Sequence, residues 1–213
     1  MTPPDTILDA LNWRYATKKF DTHKKLEAKQ VENLLEAARL APSSFGLAPW
    51  KFVVVKDTEL RGRIREAAWN QPQVTESSHL IVFCAKDDIT EADIDAFIGL
   101  NAETKGVPID SLQGFHDMLT GFRAGKSTDE IRTWAERQTY IPLGMLLLAA
   151  AERRIDACPM EGFDPKKVDA ILGLEELGVH SVAMVALGHR ATHDIAAENH
   201  KVRASQDDVI VEK

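Results

Sequence analysis

Apolar positions recur along the chain in two rhythms. Ile7, Leu8 and Leu11 are at helical spacing in DTILDALNW (5–13), behind an Asp5 cap. Val31, Leu34, Leu35 and Ala38 share one face of AKQVENLLEAARL (28–40), which predicts a second amphipathic helix. Helices are also predicted over LRGRIREAAW (60–69), most of 86–110, and PKKVDAILG (165–173). Residues 127–153 open on Ser-Thr-Asp-Glu, a strong N-cap signature, and run into a long apolar stretch. They predict a helix buried on most sides, with Pro142 as the place for a kink. Three short apolar runs read as buried strands: WKFVVVK (50–56), HLIVFCA (79–85) and SVAMVALG (181–188). APSSFGLAPW (41–50), NQPQ (70–73) and CPMEGFDP (158–165) carry loop signals. SLQGFHDMLTGFRAGK (111–126) mixes helix formers with glycine and predicts an irregular or mobile segment. The tail, 189–213, is polar apart from VIV at 209–211.

Strands this few, far apart and separated by helices, imply a small central sheet covered by helices. The fold class is therefore α+β or a three-layer αβα sandwich. No internal repeat or linker-like stretch divides the 213 residues, so one domain is expected. At 44% hydrophobic and 28% charged residues, the chain can bury a core without disulfide staples. Cys84 and Cys158 cannot form a disulfide framework, and Cys84 reads as a core residue. The N-terminus has no apolar signal core, and no apolar run is long enough for a membrane span. A cytoplasmic protein is the expectation.

The 26 basic and 33 acidic side chains give a net charge of −7, which argues against nucleic-acid or anionic-membrane partners. Taken alone, it argues against a phosphate-bearing ligand as well. The charge is unevenly placed, however. RYATKKFDTHKK (14–25) has five basic residues and one acid, while 75–110 has eight acids and two lysines. Arg14 and Lys18 are four apart, and Lys201 and Arg203 are two apart, as on one side of an extended segment. These pairs are either solvated faces or, if the fold joins the two ends, a phosphate pocket. GFRAGKS (121–127) has three residues between its glycines where a P-loop has four, and neither GxGxxG nor GxSxG occurs. His189 and His193 have metal-pair spacing but no HExxH context, so no metal is expected. Ser43 and Ser44 either cap a turn or present hydroxyls and amides to a ligand from a rigid loop.

Several segments, taken in order, resemble the flavin-dependent nitroreductase family, in particular its oxygen-insensitive NAD(P)H nitroreductase and dihydropteridine reductase branch. They are RYATKKFD (14–21), LAPSSFGLAPWKFVVV (40–55), NQPQVTESSHLIVFCA (70–85), Tyr140, PMEGFDP (159–165), ALGHR (186–190) and HKVR (200–203), and they span nearly the whole chain. The resemblance implies a nitroreductase-like three-layer αβα sandwich with a small, mostly antiparallel sheet, in an intertwined homodimer. It implies a single domain over 1–213 that binds FMN non-covalently at the subunit interface. Residues 189–213 would be an arm crossing to the partner, where the VIV patch can add a strand. The implied activity is hydride transfer from NADH or NADPH through the flavin, in ping-pong fashion, to nitroaromatics, quinones or similar flat acceptors. The alternative is a flavin-binding sensor or carrier without turnover.

The resemblance also implies roles for single residues. Arg14 matches an arginine on the FMN phosphate, and Ala16 stands where the family motif has a serine. Lys18 matches the lysine on the pyrimidine side, where a fixed cation stabilises reduced flavin, a catalytic role. Pro42, Ser43 and Ser44 match the loop against the ring and ribityl chain. Phe45 replaces a threonine and Phe115 matches an aromatic supplied by the partner, both at the substrate pocket. Asn70 matches an asparagine on the pyrimidine edge, and Gln73 falls where some members carry lysine. Glu161 and Gly162 match the segment over the flavin N5 edge, Glu161 being expected, like Lys18, to have a catalytic role and Gly162 to allow close approach. Lys201 and Arg203 match the C-terminal phosphate pair.

Overall fold

The computed structural model describes residues 7–213, and the Asp5 cap lies outside them. Among the described residues four strands form one sheet: β1 (Trp50–Val55), β2 (His79–Lys86), β3 (Asp156–Met160) and β4 (Val179–Gly188). Their order is β1-β2-β4-β3 and every neighbouring pair is antiparallel. The helices are α1 (Ile7–Trp13), α2 (Ala28–Arg39), α3 (Thr58–Ala67), α4 (Gln73–Glu76), α5 (Glu91–Lys105), α6 (Gln113–Ala124), α7 (Thr128–Glu152), α8 (Pro165–Leu172) and α9 (Gln206–Val209).

The central strands are apolar over most of their length because both of their faces are covered. Leu80, Val82 and Cys84 of β2, with Met184 and Ala186 of β4, face Ile64 and Ala67 of α3 and Val168 of α8. The intervening residues Ile81, Phe83, Ala183, Val185 and Leu187 face Leu34 of α2 and Leu143 and Leu146 of α7. Strand periodicity divides one run between two helical layers, so the fold is a three-layer sandwich. A third cluster joins α5, α6 and the start of α7 into a cap around Ile94, Ile98, Leu119 and Ile131.

Two expectations are corrected. The segment containing Cys158-Pro159-Met160 is not all loop: Asp156–Met160 is β3, an edge strand paired only with β4 among the named strands. Pro159 masked it, yet proline is tolerated at a sheet edge, where one side needs no ladder donor. Residues 113–124 are an ordered helix rather than an irregular segment. Phe115, Leu119 and Phe122 pack into the cap, while Gly114 and Gly121 face open space. Pro142 lies within the single 25-residue helix α7, and the hydroxyl of Ser127 caps that helix by accepting from the Glu130 amide. Ile7, Leu8 and Leu11 turn outward, and of α1 only Ala10 is buried. Val209, Ile210 and Val211 are likewise exposed on the chain's own surface.

Candidate functional site

The two charged ends meet. Residues 14–20 run beside β3 without forming a regular element, through an isolated bridge between Ala16 and Ala157 and the bond from the Thr17 amide to the Ala157 carbonyl (3.3 Å). The chain leaving β4 returns along the other side of this segment. Phe20 bridges Arg190, the Ala191 amide donates to the Lys19 carbonyl (2.9 Å), and the Asp21 amide donates to the His189 carbonyl (2.8 Å). His189 and His193 therefore share no helix face.

A cleft of about 520 Å³ opens between the returning tail and the N-terminal segment, with Arg14, Ala16, Lys18, Lys201 and Arg203 in its lining. The Lys201 ammonium donates to the Arg14 carbonyl. None of these four cations takes part in an ion pair among the described residues. Burial and then the neighbouring Arg203 push the Arg14 pKa down. Burial, Arg14 and Arg203 do the same to Lys201. The Arg14 Nε–H is buried without a hydrogen-bond acceptor. Cations that lower one another's pKa around an orphaned donor favour an anion in the cleft.

The wall is braced by groups that sequence reasoning missed. Arg190 pairs with Asp156 through Nε (2.6 Å) and its own amide (2.8 Å), and its guanidinium lies 4.4 Å from the Trp13 ring centre and 4.5 Å from that of Tyr15. Burial raises the pKa of Asp156, with the Arg190 contacts opposing. Asp194 accepts from the Tyr15 hydroxyl and from the Lys18 and Lys19 amides. Arg190 lies within a segment noted for its resemblance, but nothing local points from Asp194 to Tyr15, Lys18 and Lys19, which are more than 170 positions away.

Gln73 and Lys18 both act on the Cys158 thiol. Burial raises the pKa of that thiol, and Lys18 and Gln73 oppose the shift. Gln73 is buried with its Oε1 unpartnered. Its short helix α4 and the turn after it are held by Arg61 of α3, whose guanidinium donates to the carbonyls of Val74, Ser77 and Ser78 and to the Ser77 hydroxyl. Just upstream, Trp69 and Asn70 are consecutive left-handed residues (φ +54° and +58°). Trp69 is thereby laid on Gly162: a Cβ built there would be 2.8 Å from the indole. Gln71 Nε2 donates to the Gly162 carbonyl (2.6 Å), and the Tyr140 hydroxyl donates to Glu161 (2.8 Å). The Tyr140 pKa is pushed up to about 12, first by burial and then by Glu161. Asn70, Glu161 and Gly162 thus belong to one neighbourhood, and Gln73 to that of Lys18.

The serine loop stands apart and does not line the cleft. The Ser43 hydroxyl accepts from the Ala48 amide (2.8 Å), and the Ser44 amide donates to Gln138 of α7 (2.9 Å). Pro42 is exposed. Phe45 is held at φ +60°, a strained conformation for a bulky residue, and its ring meets Phe122 edge-on at 5.0 Å. Phe115 packs on Phe97 at 5.9 Å within the cap.

A sequence profile of the nitroreductase family matches residues 11–189. The chain belongs to the nitroreductase family. Among curated relatives, YfkO of Bacillus subtilis, provisionally named an NAD(P)H nitroreductase, is 38% identical, with 96% of each chain covered. A Staphylococcus saprophyticus protein with the same provisional name is 36% identical, covering 96% of this chain and 95% of its own. The fold matches that of a Staphylococcus epidermidis protein provisionally described as an NAD(P)H:FMN oxidoreductase, with a TM-score of 0.88 at 22% identity over 100% and 98% of the two chains. It also matches an Exiguobacterium sibiricum protein, provisionally a nitroreductase, solved in complex with FMN. There the TM-score is 0.83 at 21% identity over 100% and 99% of the chains. No helix among the described residues is long and apolar enough to cross a membrane. No cluster of three metal-ligating side chains occurs among them.

Proposed function

We propose that the protein is an FMN-dependent oxidoreductase that carries hydride from NADH or NADPH to nitroaromatics, quinones or similar flat acceptors, one substrate after the other in a shared pocket. The observation that carries this reading is the convergence of Arg14, Lys18, Lys201 and Arg203, from opposite ends of the chain, on a cleft that offers them no carboxylate counter-ion. The orphaned Arg14 Nε–H and the unpartnered Gln73 Oε1 suit a ligand with a phosphate at one end and hydrogen-bonding ring edges at the other.

Arg14, Lys201 and Arg203 would hold the phosphate, with Ala16 leaving room beside it. Asn70 and Gln73 would address the pyrimidine edge, and Glu161 and Gly162 the N5 edge. Bound FMN supplies the hydride chemistry. Lys18 places a fixed cation where negative charge develops on reduction, the one electrostatic contribution the chemistry demands of a side chain. Product protons come from water. Pro42, Ser43 and Ser44, away from the cleft in one chain, would meet the ring from the partner protomer, with Phe45 and Phe115 bounding the acceptor site.

A homodimer accounts for apolar faces that the protomer leaves open. Ile7, Leu8 and Leu11 of α1 and Tyr140, Ile141 and Met145 of α7 are exposed, as are Val209–Val211 at the end of the proposed crossing arm. The test is direct. Purified protein should bind FMN, sediment as a dimer, and lose the flavin's yellow colour quickly when NADH or NADPH is added without oxygen. Failure to bind FMN would refute the reading. Tight binding without reduction would leave a flavin carrier or sensor instead.

A further inference from the structure

Asp194 joins the two halves of the basic cleft. Residues 14–20 have almost no strand partner, so their amides need other acceptors. The Lys18 and Lys19 amides converge on one oxygen, Asp194 Oδ2, at 2.9 and 3.2 Å, and the Tyr15 hydroxyl reaches the same atom at 2.8 Å. Successive amides aimed at one point make an anion seat, and here the chain fills it with its own carboxylate. The other oxygen accepts from the Ala196 amide at 3.2 Å, at the start of the tail that carries Lys201 and Arg203. Asp194 is only 5% exposed. Burial pushes its pKa up, but the four hydrogen bonds prevail and hold it below the usual carboxylate range.

The peptide planes on both sides of the Lys18 Cα are thereby fixed, and the Ala191 amide on the Lys19 carbonyl (2.9 Å) braces the next one. A lysine side chain is otherwise a flexible stem. A cation that stabilises developing charge is effective only when it is in place before that charge appears. We propose that Asp194 is a positioning residue that holds Lys18 in register with the flavin and so favours the reduced cofactor. The inference rests on the FMN reading above.

Its test is the flavin midpoint potential and the affinity of the apoprotein for FMN, measured in Asp194→Asn, Asp194→Glu, Lys18→Met and the Lys18→Met/Asp194→Asn double variant. Removing a negative charge would, through space alone, raise the potential. Loss of Lys18 positioning lowers it, so the two explanations differ in sign. We expect Asp194→Asn to weaken reduced FMN about tenfold more than oxidised FMN, the size of one lost hydrogen bond to a charged group. Asp194→Glu keeps the charge but displaces it, and it should also lower the potential. It carries the test alone if the asparagine variant does not fold. In midpoint potential the double variant should match Lys18→Met, because Asp194 acts on the potential through Lys18. A wild-type protein that takes up no FMN would remove the underlying reading and this inference with it. A wild-type protein that binds FMN, with the Asp194 variants at or above its potential, would overturn this inference alone.

Discussion

Arg61 is the best place to measure what holds the segment that follows Gln73 in position. It is 7% exposed, has no carboxylate partner among the described residues, and spends its guanidinium on backbone. Nε donates to Val74 O at 2.8 Å, Nη2 to Ser77 O at 2.8 Å and Ser77 Oγ at 2.7 Å, and Nη1 to Ser78 O at 3.3 Å. Burial lowers its pKa, the cost of holding a cation among carbonyl dipoles. Arg61→Met fills much of the same volume but leaves three carbonyls without their donor. At about 1 kcal/mol for each of the three short bonds, plus desolvation of carbonyls that water reaches poorly, the loss should be about 3–5 kcal/mol. For a chain of this size that is a fall in Tm of roughly 10 °C.

Chemical unfolding of the wild type, Arg61→Met and Arg61→Lys measures it. Lysine restores the charge but not the planar fork, so it should recover less than half of the loss. Hydrogen exchange should show residues 74–78 opening before β2. A loss under about 1 kcal/mol for Arg61→Met, the ordinary range of surface substitutions and single bonds, would refute the reasoning. So would uniform exchange across the loop and the strand.

Further outcomes are expected elsewhere. Gly162→Ala should drive the Trp69 indole off its seat, since the new methyl would lie 2.8 Å from the ring and 3.1 Å from Gln71 Nε2. A shifted tryptophan emission and weaker FMN binding would be the signature, read by fluorescence titration. Arg203→Glu should weaken FMN binding at least about tenfold, more at low salt than at high, because a screened surface anion would face the phosphate. Equal affinity at both ionic strengths would remove the C-terminal pair from the phosphate site. Native protein should show no thiol reactive to a disulfide reagent at pH 8 and two in denaturant. Cys84 is fully buried with its pKa pushed up to about 12 by burial, and Cys158 is shifted the same way.

What was legible in the sequence followed physical range. β2 and β4 were readable because strands covered on both faces carry long unbroken apolar runs, and α2 because its apolar stripe keeps one period. β3 was missed because an edge strand escapes those rules. Pro159 is unsuited to a central strand but acceptable at this margin. α6 was missed because Gly114 and Gly121 are on its open side, where glycine weakens a helix without preventing tertiary packing from forming it. The four cations were visible as two pairs, but their meeting was a matter of topology. Arg61, Arg190 and Asp194 were invisible as site residues, since the main partners of each are brought close only by the fold.

The location of the cleft follows from where the sheet ends. β3 is short and its outer edge has no strand neighbour, a position where unpaired amides and carbonyls invite another chain. The basic segment takes that place, bonding Ala157 from the outside, and the tail locks it there through Phe20–Arg190 and Asp194. A regular strand would turn the successive Lys18 and Lys19 amides to opposite sides, whereas the irregular chain lets both reach Asp194. Irregular chain also lets Arg14 and Lys18 face the cleft without pairing to acids. The net charge of −7 therefore misleads when read alone. Residues 75–110 carry eight acids against two lysines, most of those acids on α5 and the turn before it, while edge protection draws Arg14, Lys18, Lys201 and Arg203 together beside β3. The anion-seeking cleft is a consequence of how this chain finishes its sheet, and substitutions that loosen the edge, such as those at Asp194, should weaken phosphate binding without touching a phosphate-binding side chain.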